Sequence, residues 1–400
     1  MQPHSIYLHI PFCRHRCSYC DFNTYAGIDD LIPVYVQALC HEIRYLAENC
    51  GRKPPIHTIF LGGGTPSILP AGEIEKIINE LNRDFNILEG IEITMEANPG
   101  RLTYDYLKSL YELGINRISL GMQSANPGEL QLLERQHEFH QIANAVSLVR
   151  KAGFQNYNLD LIFGIPYQTL ESWQLSLELG LSLGPDHLSL YSLTIEPGTP
   201  LENWVTRGLL SEPDQDLSAE MYEWASELLN ERGFEQYEIS NWARRDEVKG
   251  LLACQHNLQY WRNFPYLGLG AGAHGYADGK RTVNVRSPRV YTQKLLTRDE
   301  KDKQNNLSFP MTPATTSVVT IDRSEEIKET MMMGLRLTKE GISQKEFQAR
   351  FGTTPEVVFD TQIDELIEVG LLERDRMTND HLRLTPRGRL LGNQVFLRFI

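Results

Sequence analysis

Short runs of β-branched and aromatic residues alternate with longer amphipathic segments from residue 5 to about residue 240. This alternation is typical of repeated βα units and predicts a parallel sheet within an α/β fold. The apolar runs predict six strands, at Ile6–Ile10, His57–Leu61, Ile91–Glu96, Arg117–Gly121, Tyr157–Ile162 and His187–Ser192. Apolar positions at helical spacing predict the intervening helices, near Ile32–Glu48, Ala71–Asp84, Tyr104–Leu113, Gln141–Lys151 and Leu170–Leu181.

The pattern becomes less regular beyond the sixth strand. Residues 214–232 have the apolar spacing of an amphipathic helix, and the run EQYEISNWA predicts a strand that extends the sheet. Ser324–Ile400 predicts a short β wing after three helices, at Glu326–Arg336, Gln344–Phe351 and Pro355–Val369. This is the order of a winged-helix domain. We therefore expect a barrel domain, an additional α+β region and a C-terminal winged-helix-like domain, at residues 1–240, 241–320 and 321–400.

Composition limits the classes of partner. The chain has 400 residues, of which 41% are hydrophobic, so it can bury a large core. Its formal net charge of −13 argues against a nucleic-acid partner, because such proteins carry a clustered basic face. No apolar run reaches the roughly 18 residues that a membrane-spanning helix needs, which leaves only peripheral membrane contact open. Nothing before residue 5 resembles an export signal, so we expect a cytoplasmic protein with reduced thiols.

Three of the six cysteines, Cys13, Cys17 and Cys20, lie in one eight-residue segment, CRHRCSYC, directly after the first predicted strand. Thiolates at this spacing can close on one metal centre from a single loop. An iron–sulfur cubane normally takes four thiolates, one on each iron, so a three-thiolate loop leaves one iron open for another ligand. The alternatives are zinc, with His9 or His15 as the fourth ligand, and a buried thiol cluster without a metal.

Other unusual residues also follow predicted strands, and the carboxyl ends of the strands carry the active site of a βα barrel. The run GGGTP at residues 62–66 follows strand two, and its glycines suit a close approach of the backbone to a ligand. Glu96 can meet an ammonium group, while Gln123 and Asp160 can hydrogen-bond vicinal hydroxyls. Arg135 can bind a carboxylate, although it lies in the charged run LLERQHEFH, where a solvated surface arginine is the commoner case. An amino acid joined to a ribose has all of these groups.

Each of these residues also has a purely structural interpretation. The glycines can form a tight connection, Glu96 can cap a helix, and Asp160 can be a buried structural acid. Their common position after successive strands favours a shared site at one rim of the barrel.

Together the motifs resemble the radical S-adenosylmethionine (SAM) superfamily, through CRHRCSYC with Asp21 and Phe22, and through LGGGTPS, MEANPG, RISLGMQS and NLDLIFGIP. The resemblance implies a partial (β/α)6 barrel, similar to a TIM barrel, with a [4Fe-4S] cluster on the three cysteines and SAM at the fourth iron. In that superfamily a reduced cluster donates an electron to SAM and releases a 5′-deoxyadenosyl radical. The resemblance also implies the residues that contact SAM, namely Tyr7, Tyr19, Gly63, Gly64, Thr65, Glu96, Gln123, Arg135 and Asp160.

Further features distinguish two branches of that superfamily. The coproporphyrinogen dehydrogenase branch carries another cysteine two positions after the third cluster ligand, where this chain has Phe22. It also carries an amino-terminal extension, whereas strand one is predicted here near residue 5. Both features indicate the heme chaperone HemW family, and a signature associated with heme binding in that family, HNxxYW, matches His256, Asn257, Tyr260 and Trp261.

An imidazole can ligate heme iron, and flat aromatic rings can pack on a porphyrin face. Cys254 and His274 are comparable ligands by chemistry. A histidine beside Tyr and Trp is more often a buried residue with one hydrogen bond, so the identity of the ligand stays open.

The resemblance implies a heme chaperone, a monomer or homodimer that binds heme, the cluster and SAM and transfers heme to apo-heme acceptor proteins. On this interpretation the radical SAM fold serves binding rather than catalysis, and the cleavage of SAM does not follow from the sequence. The alternative is an oxygen-independent coproporphyrinogen III dehydrogenase, which decarboxylates propionates in heme biosynthesis. A zinc-structured scaffold without redox chemistry is the third hypothesis.

Overall fold

The computed structural model describes residues 2–297, 307–375 and 380–400. The chain packs into two compact units. The first comprises Met1–Ala225 and Pro265–Thr320, and the second comprises Ser226–Phe264 and Ile321–Ile400. Each unit is therefore built from two stretches that are separated in the sequence, and the boundaries near residues 240 and 320 stay a prediction.

Six parallel strands form the centre of the first unit, and all six lie where the apolar runs predict them. Each strand pairs in parallel with the next one along the chain, as in the registers of Tyr7 with Phe60 and of Asp160 with Ser189. The strands are β1 (His4–Ile10), β2 (Pro55–Gly63), β3 (Asn86–Ala97), β4 (Arg117–Gln123), β5 (Tyr157–Phe163) and β6 (His187–Ser192).

The sheet continues past β1, since Tyr266–Leu269 pairs in parallel with the free side of that strand. Three antiparallel strands follow, His274–Ala277, Lys280–Asn284 and Thr315–Thr320. Because β1 has this neighbour, the six βα units form a partial barrel. The predicted fold class, a partial (β/α)6 barrel with an additional α+β region, is therefore confirmed.

Strand β3 is longer than the apolar run predicts. Its first residues, from Asn86 to Gly90, are mostly exposed, and they pair only at Pro55 and Ile56 before the register shifts. Its apolar residues, Ile87 and Leu88, are adjacent and do not alternate with polar ones, so the run from Ile91 onwards is the part that the sequence identifies.

Helices connect the strands, and the predicted ones lie within a few residues of their observed bounds. The helix predicted from Gln141 begins two residues earlier, because Glu138 and Gln141 form a capping box. It ends before Gly153, whose φ of 112° stops the helix. Two helices were too short for a periodic signal, Pro127–Leu132 and Pro200–Thr206. The helices of this unit are Ile32–Asn49, Ala71–Asp84, Tyr104–Glu112, Pro127–Leu132, Phe139–Ala152, Leu170–Ser182, Pro200–Thr206 and Pro288–Leu296, and Gln215–Glu231 contains the boundary to the second unit.

A fully buried glutamate joins the first helix to the additional strands. Glu42 accepts hydrogen bonds from Gly270 N at 2.8 Å, Asn284 Nδ2 at 2.7 Å, Tyr291 OH at 2.6 Å and Thr312 Oγ1 at 2.7 Å. Burial raises the pKa of Glu42, although these four donors act in the opposite direction. The network fixes the turn at Gly270 beside the carboxyl end of β1.

The second unit contains a hairpin and the predicted C-terminal domain. The hairpin strands are Phe234–Glu238 and Asn241–Asp246, with Gly250–Leu251 paired on the second, and the helix Gln255–Trp261 follows them. The C-terminal domain has three helices, Arg323–Gly334, Gln344–Phe351 and Pro355–Glu368, and strands in the order Ile342–Ser343, His381–Leu384 and Leu372–Arg374. It ends with Pro386–Leu390, Gly392–Phe396 and Leu397–Phe399.

The helices and strands of the C-terminal domain enclose one apolar core, in which Met331, Phe347, Ile363 and Leu384 are buried. The winged-helix-like prediction is confirmed, although residues 376–379 of the predicted wing lie outside the described residues. Within the described ranges, no helix is long and apolar enough to cross a membrane.

Candidate functional site

The three cysteines lie on a loop at the carboxyl end of β1. Two-residue strands, Phe12–Cys13 and Tyr25–Ala26, pair in parallel and close the base of this loop. Cys13 is buried, Cys17 and Cys20 are half-buried, and all three are free thiols. The loop is compact because the backbone N–H of Cys20 donates to the Cys17 carbonyl at 3.2 Å.

Burial raises the pKa of Cys13 and of Cys20, and the neighbouring thiols of the loop raise both further. Hydroxyl groups oppose this, since Thr65 Oγ1 lies 3.6 Å from Cys13 Sγ and Thr24 Oγ1 lies 4.0 Å from Cys20 Sγ. The Arg135 guanidinium adds a positive charge, because Nη1 donates to Cys17 Sγ at 3.5 Å. A cation beside clustered thiols favours the thiolate form that metal ligands require.

This donor set fits a cluster held at three irons. Thiolates on a cubane each bind a different iron, so the sulfur atoms need not converge on one point. Among residues 2–297, 307–375 and 380–400, no group of three or more His, Cys, Asp or Glu side chains is placed to hold a single metal ion. Both histidines of the zinc alternative have other partners: His9 bonds Tyr7 and Asn23, and His15 Nε2 lies 3.2 Å from Glu134 Oε2.

The glycine turn after β2 packs directly against the cysteine loop. The N–H of Gly64 donates to the Ile10 carbonyl and that of Thr65 to the Phe12 carbonyl, both at 2.8 Å. A Cβ atom at Gly64 would lie 2.6 Å from the Phe12 carbonyl oxygen and 3.1 Å from Cys13 Sγ. The close approach predicted from the glycines is therefore, in part, an approach to the cysteine loop itself.

Gly63 has a φ of 110°, and a Cβ atom there would lie 2.5 Å from the His9 ring. Its N–H donates to Glu96 Oε2 at 3.2 Å. Burial raises the pKa of Glu96 to about 8, with the negative charge of Asp160 as the second cause. A protonated carboxyl of this kind can ionise when an ammonium group arrives beside it.

Asp160 sits in a hydrogen-bond network across three strands. Ser119 Oγ donates to its Oδ2, and Asn158 Nδ2 donates to its Oδ1, both at 2.8 Å. Asn158 Oδ1 in turn accepts from His187 Nδ1 at 2.7 Å and from Ser189 Oγ at 3.1 Å. Burial raises the pKa of Asp160, while these donors oppose the shift. Each carboxylate oxygen keeps a lone pair that can accept from a ligand hydroxyl.

Gln123 is the last residue of β4, and the Arg135 side chain contacts the same end of this strand. Arg135 is half-buried and donates from Nη2 to the Gly121 carbonyl at 3.0 Å, so the solvated-surface interpretation of this arginine is wrong. Gly121 makes room, because a Cβ atom there would lie 2.8 Å from Gln123 Nε2 and 3.1 Å from Arg135 Nη2. Burial alone disfavours the charged guanidinium, but Tyr19 and Cys17 bring the pKa of Arg135 above its ordinary value.

The two tyrosines occupy different positions. Tyr7 OH lies 3.0 Å from His9 Nδ1, and His9 Nε2 lies 2.9 Å from the Asn23 carbonyl, so the ring donates from Nε2 and accepts at Nδ1. Tyr19 packs beside the apolar cluster that contains Leu133 and Ile162. Burial raises the pKa of both phenols, which therefore stay protonated at neutral pH.

Sequence reasoning missed Asn23, Ser119 and Asn158, and it considered His9 only as a zinc ligand. For His9, Ser119 and Asn158, polar residues at every second position were the available signal, because alternate residues of a strand face the same side. Such positions include Tyr7 and His9 on β1, Thr94 and Glu96 on β3, Arg117 and Ser119 on β4, Asn158 and Asp160 on β5, and His187 and Ser189 on β6. Asn23 lies in the loop after the cysteines and carries no such signal.

The HNxxYW residues lie in the second unit, on the helix Gln255–Trp261. His256 is 1% exposed, and its Nε2 lies 3.0 Å from Tyr260 OH, with the two rings edge to face. Asn257 and Trp261 are half-buried. His256 is thus a buried histidine with a hydrogen bond to a neighbouring side chain. This structural role is the alternative to heme ligation that follows from the sequence. Cys254 is buried as well, whereas His274 is exposed on a strand of the first unit.

Two protein families match parts of the chain. Residues 7–180 match the radical SAM superfamily, and residues 321–391 match the HemN C-terminal domain.

Full-length relatives are also found. The heme chaperone HemW of Bacillus subtilis (strain 168) is 38% identical over 397 residues, which cover 99% of each chain. The heme chaperone HemW of Escherichia coli (strain K12) is 33% identical over 410 residues, covering 100% of this chain and 99% of the relative. Among solved structures, coproporphyrinogen III oxidase (HemN) from Escherichia coli, a radical SAM enzyme, superposes with a TM-score of 0.81 at 22% identity. That superposition covers 100% of this chain and 90% of the other, and at this identity it shows the fold alone.

Proposed function

The chain belongs to the HemW family of the radical SAM superfamily, and from this premise we propose that it is a heme chaperone, which binds heme and transfers it to apo-heme acceptor proteins. The observation that carries the proposal is the match to a heme chaperone at 38% identity over 99% of the chain. We place its activity in the cytoplasm, as the sequence predicts.

Membership of the radical SAM superfamily implies a [4Fe-4S] cluster and SAM. Cys13, Cys17 and Cys20 would hold three irons, and SAM would occupy the fourth. When bound and reduced, such a cluster would supply one electron to the SAM sulfonium, although the proposed chaperone function rests on binding rather than on that cleavage. The guanidinium of Arg135, against Cys17 Sγ, offsets the negative charge of the thiolates.

The remaining residues of the first unit would orient SAM. Glu96, protonated in the absence of a ligand, would ionise to pair with the amino group of SAM. Ser119 and Asn158 hold Asp160 so that its oxygens can accept from ribose hydroxyls. Tyr7, Tyr19, Gln123 and the glycine turn with Thr65 would complete the contacts that the family resemblance implies.

Heme would be bound in the second unit, through the HNxxYW residues His256, Asn257, Tyr260 and Trp261. The support is their chemistry and their grouping on one short helix, where the His256 imidazole and the Tyr260 ring lie edge to face. Ligation by His256 Nε2 requires this nitrogen to leave its hydrogen bond with Tyr260, because the iron would take the place of the hydroxyl.

The test is anaerobic reconstitution of the full chain with iron and sulfide, followed by incubation with SAM and either heme or coproporphyrinogen III. We expect one heme per chain, a ligand-dependent absorption band, and no change in the porphyrinogen. Formation of protoporphyrinogen and carbon dioxide would instead assign the dehydrogenase activity. Purified protein that contains zinc in place of iron and sulfide would contradict the assignment of a [4Fe-4S] cluster.

His256→Ala should weaken the heme spectrum and leave the iron and sulfide content intact. His140→Ala is the matched control, because His140 is an exposed histidine of the first unit. An unchanged spectrum in His256→Ala would transfer the ligand role to Cys254 or His274.

A further inference from the structure

The HNxxYW residues lie on the helix Gln255–Trp261, here called the motif helix. Its candidate heme ligand, the His256 imidazole, is not accessible in this structure. His256 is 1% exposed, and its Nε2 is occupied by the Tyr260 hydroxyl. Iron must come within bonding distance of a ligand nitrogen, so heme reaches this imidazole only after the groups that cover it have moved. Seven residues are too few for a helix that is stable by itself, so contacts with the rest of the unit hold it.

Those contacts are concentrated just after the motif helix, at Arg262 and Asn263. Arg262 forms a bidentate ion pair with Glu340, at 2.8 Å and 2.7 Å. Arg350 donates to the backbone carbonyls of both residues, at 3.1 Å to Arg262 and 2.8 Å to Asn263. Asn263, which is buried with a φ of 49°, donates from Nδ2 to Thr330 Oγ1 at 3.1 Å. Every one of these partners belongs to the C-terminal segment Ile321–Ile400.

Arg350 is the central residue of this arrangement. Besides the two carbonyls it binds Glu326 Oε1 at 2.6 Å, and its guanidinium lies 5.6 Å from the centre of the Phe264 ring. Nearby, the Arg336 guanidinium lies 5.1 Å from the centre of the Trp261 ring, the last residue of the signature. The C-terminal segment therefore holds both the end of the motif helix and the turn that follows it.

Among these polar contacts, the ion pairs are the ones that water can replace at low cost, whereas the bond from Asn263 to Thr330 is buried. The side chains of Arg262 and Glu340 are 36% and 35% exposed, and that of Arg350 is 22% exposed. Partly exposed ion pairs contribute little net free energy, because water solvates the separated charges. Opening at this end of the motif helix thus costs less than opening across the buried apolar contacts of Leu258 and Tyr237.

We propose that the C-terminal segment is a clamp on the motif helix, and that heme reaches His256 only after the bonds of Arg350 and Glu340 to Arg262 and Asn263 have opened. This inference rests on the proposed function, since it assigns the regulation of the same heme site. The clamp keeps the imidazole away from heme until the motif helix is released, and the same movement in reverse expels the ligand.

The test compares heme association with the full chain, reconstituted anaerobically, in the variants Arg350→Met and Glu340→Gln. We expect the association rate constant to rise roughly threefold to fivefold in Arg350→Met, which removes the bonds to both carbonyls and to Glu326, and less in Glu340→Gln. Arg374→Met is the matched control, because Arg374 is also an arginine of the C-terminal segment and its ion pair, at 2.6 Å, is with Glu356. Stopped-flow absorbance measures the rates, and hydrogen exchange measures the protection of amides 255–261.

Faster heme association together with faster exchange at 255–261, and an unchanged final spectrum, supports the clamp. Faster exchange with unchanged association rates overturns it, as does slower association. Should Arg350→Met fail to fold, as circular dichroism would show, Glu340→Gln carries the test because it changes only one charge. A wild-type protein without a band that depends on His256 contradicts the proposed function, whereas a band that depends on His256 but is insensitive to both variants contradicts the clamp alone.

Discussion

The carboxyl group of Glu96 holds its proton more tightly in the folded chain than in the unfolded one. Burial, and secondly the charge of Asp160, raise its pKa from 4.5 to about 8. Between these two values the folded state binds more protons than the unfolded state, so the stability that this group contributes at low pH is lost as the pH rises. Above about 8 the loss is complete.

We expect Glu96→Gln to stabilise the cluster-free protein relative to the wild type at pH 8, and much less at pH 5. The amide has no charge to desolvate, and a tenfold change in the acid dissociation constant of a carboxyl group corresponds to about 1.4 kcal/mol. Thermal unfolding of both proteins across this range measures the difference in Tm. An equal difference at both pH values would mean that the Glu96 carboxyl is already ionised at pH 5 in the folded protein, which contradicts the prediction.

At the scale of elements, the turn after β2 is hydrogen-bonded to the cysteine loop after β1 and packed directly against it. The backbone of Gly64 and Thr65 bonds to that of Ile10 and Phe12, and there is no space for a side chain at Gly64. The position of the three thiols therefore depends on an element that is about fifty residues away in the sequence.

Gly64→Ala should displace the cysteine loop and lower the amount of iron and sulfide taken up on reconstitution. Backbone atoms cannot move aside as a side chain does, and overpacking of this kind costs roughly 1–3 kcal/mol. Gly72→Ala is the control, since a Cβ atom at Gly72 would meet nothing within 4 Å. Iron and sulfide analysis of the two variants decides the point, and equal cluster content in both would contradict the prediction.

At the scale of the whole molecule, the second unit is discontinuous in the sequence. The residues Ser226–Phe264 and Ile321–Ile400 belong to it together, and Leu337 packs in one apolar cluster with Tyr237, Ala243 and Leu258. The hairpin and motif helix thus complete their packing with residues that follow position 320.

A chain truncated after Thr320 should therefore lose the fold of residues 226–264. We expect these residues to become sensitive to protease and the heme band to disappear, because a short hairpin and a seven-residue helix are marginal without packing partners. Limited proteolysis of the truncated and full chains measures this. If residues 226–264 resist protease equally in both, the hairpin and motif helix fold without the C-terminal segment.

The sequence predicted the local structure well. The six barrel strands, most connecting helices, the cysteine loop and the helices of the C-terminal domain all follow from spacing within a few residues. Short helices such as Pro127–Leu132 and the exposed start of β3 were missed, because neither carries a periodic apolar signal.

What the sequence by itself determined was therefore the order and kind of the elements, and the set of thiols that share one loop, since these depend on neighbours along the chain. Only the tertiary structure decided that Arg135 lies against Cys17 and that Glu42 is hydrogen-bonded to residues more than 200 positions away. It also decided that His256 is buried, with its Nε2 against the Tyr260 hydroxyl. Burial and partnership depend on which distant residues meet in space, and a local pattern does not contain that information.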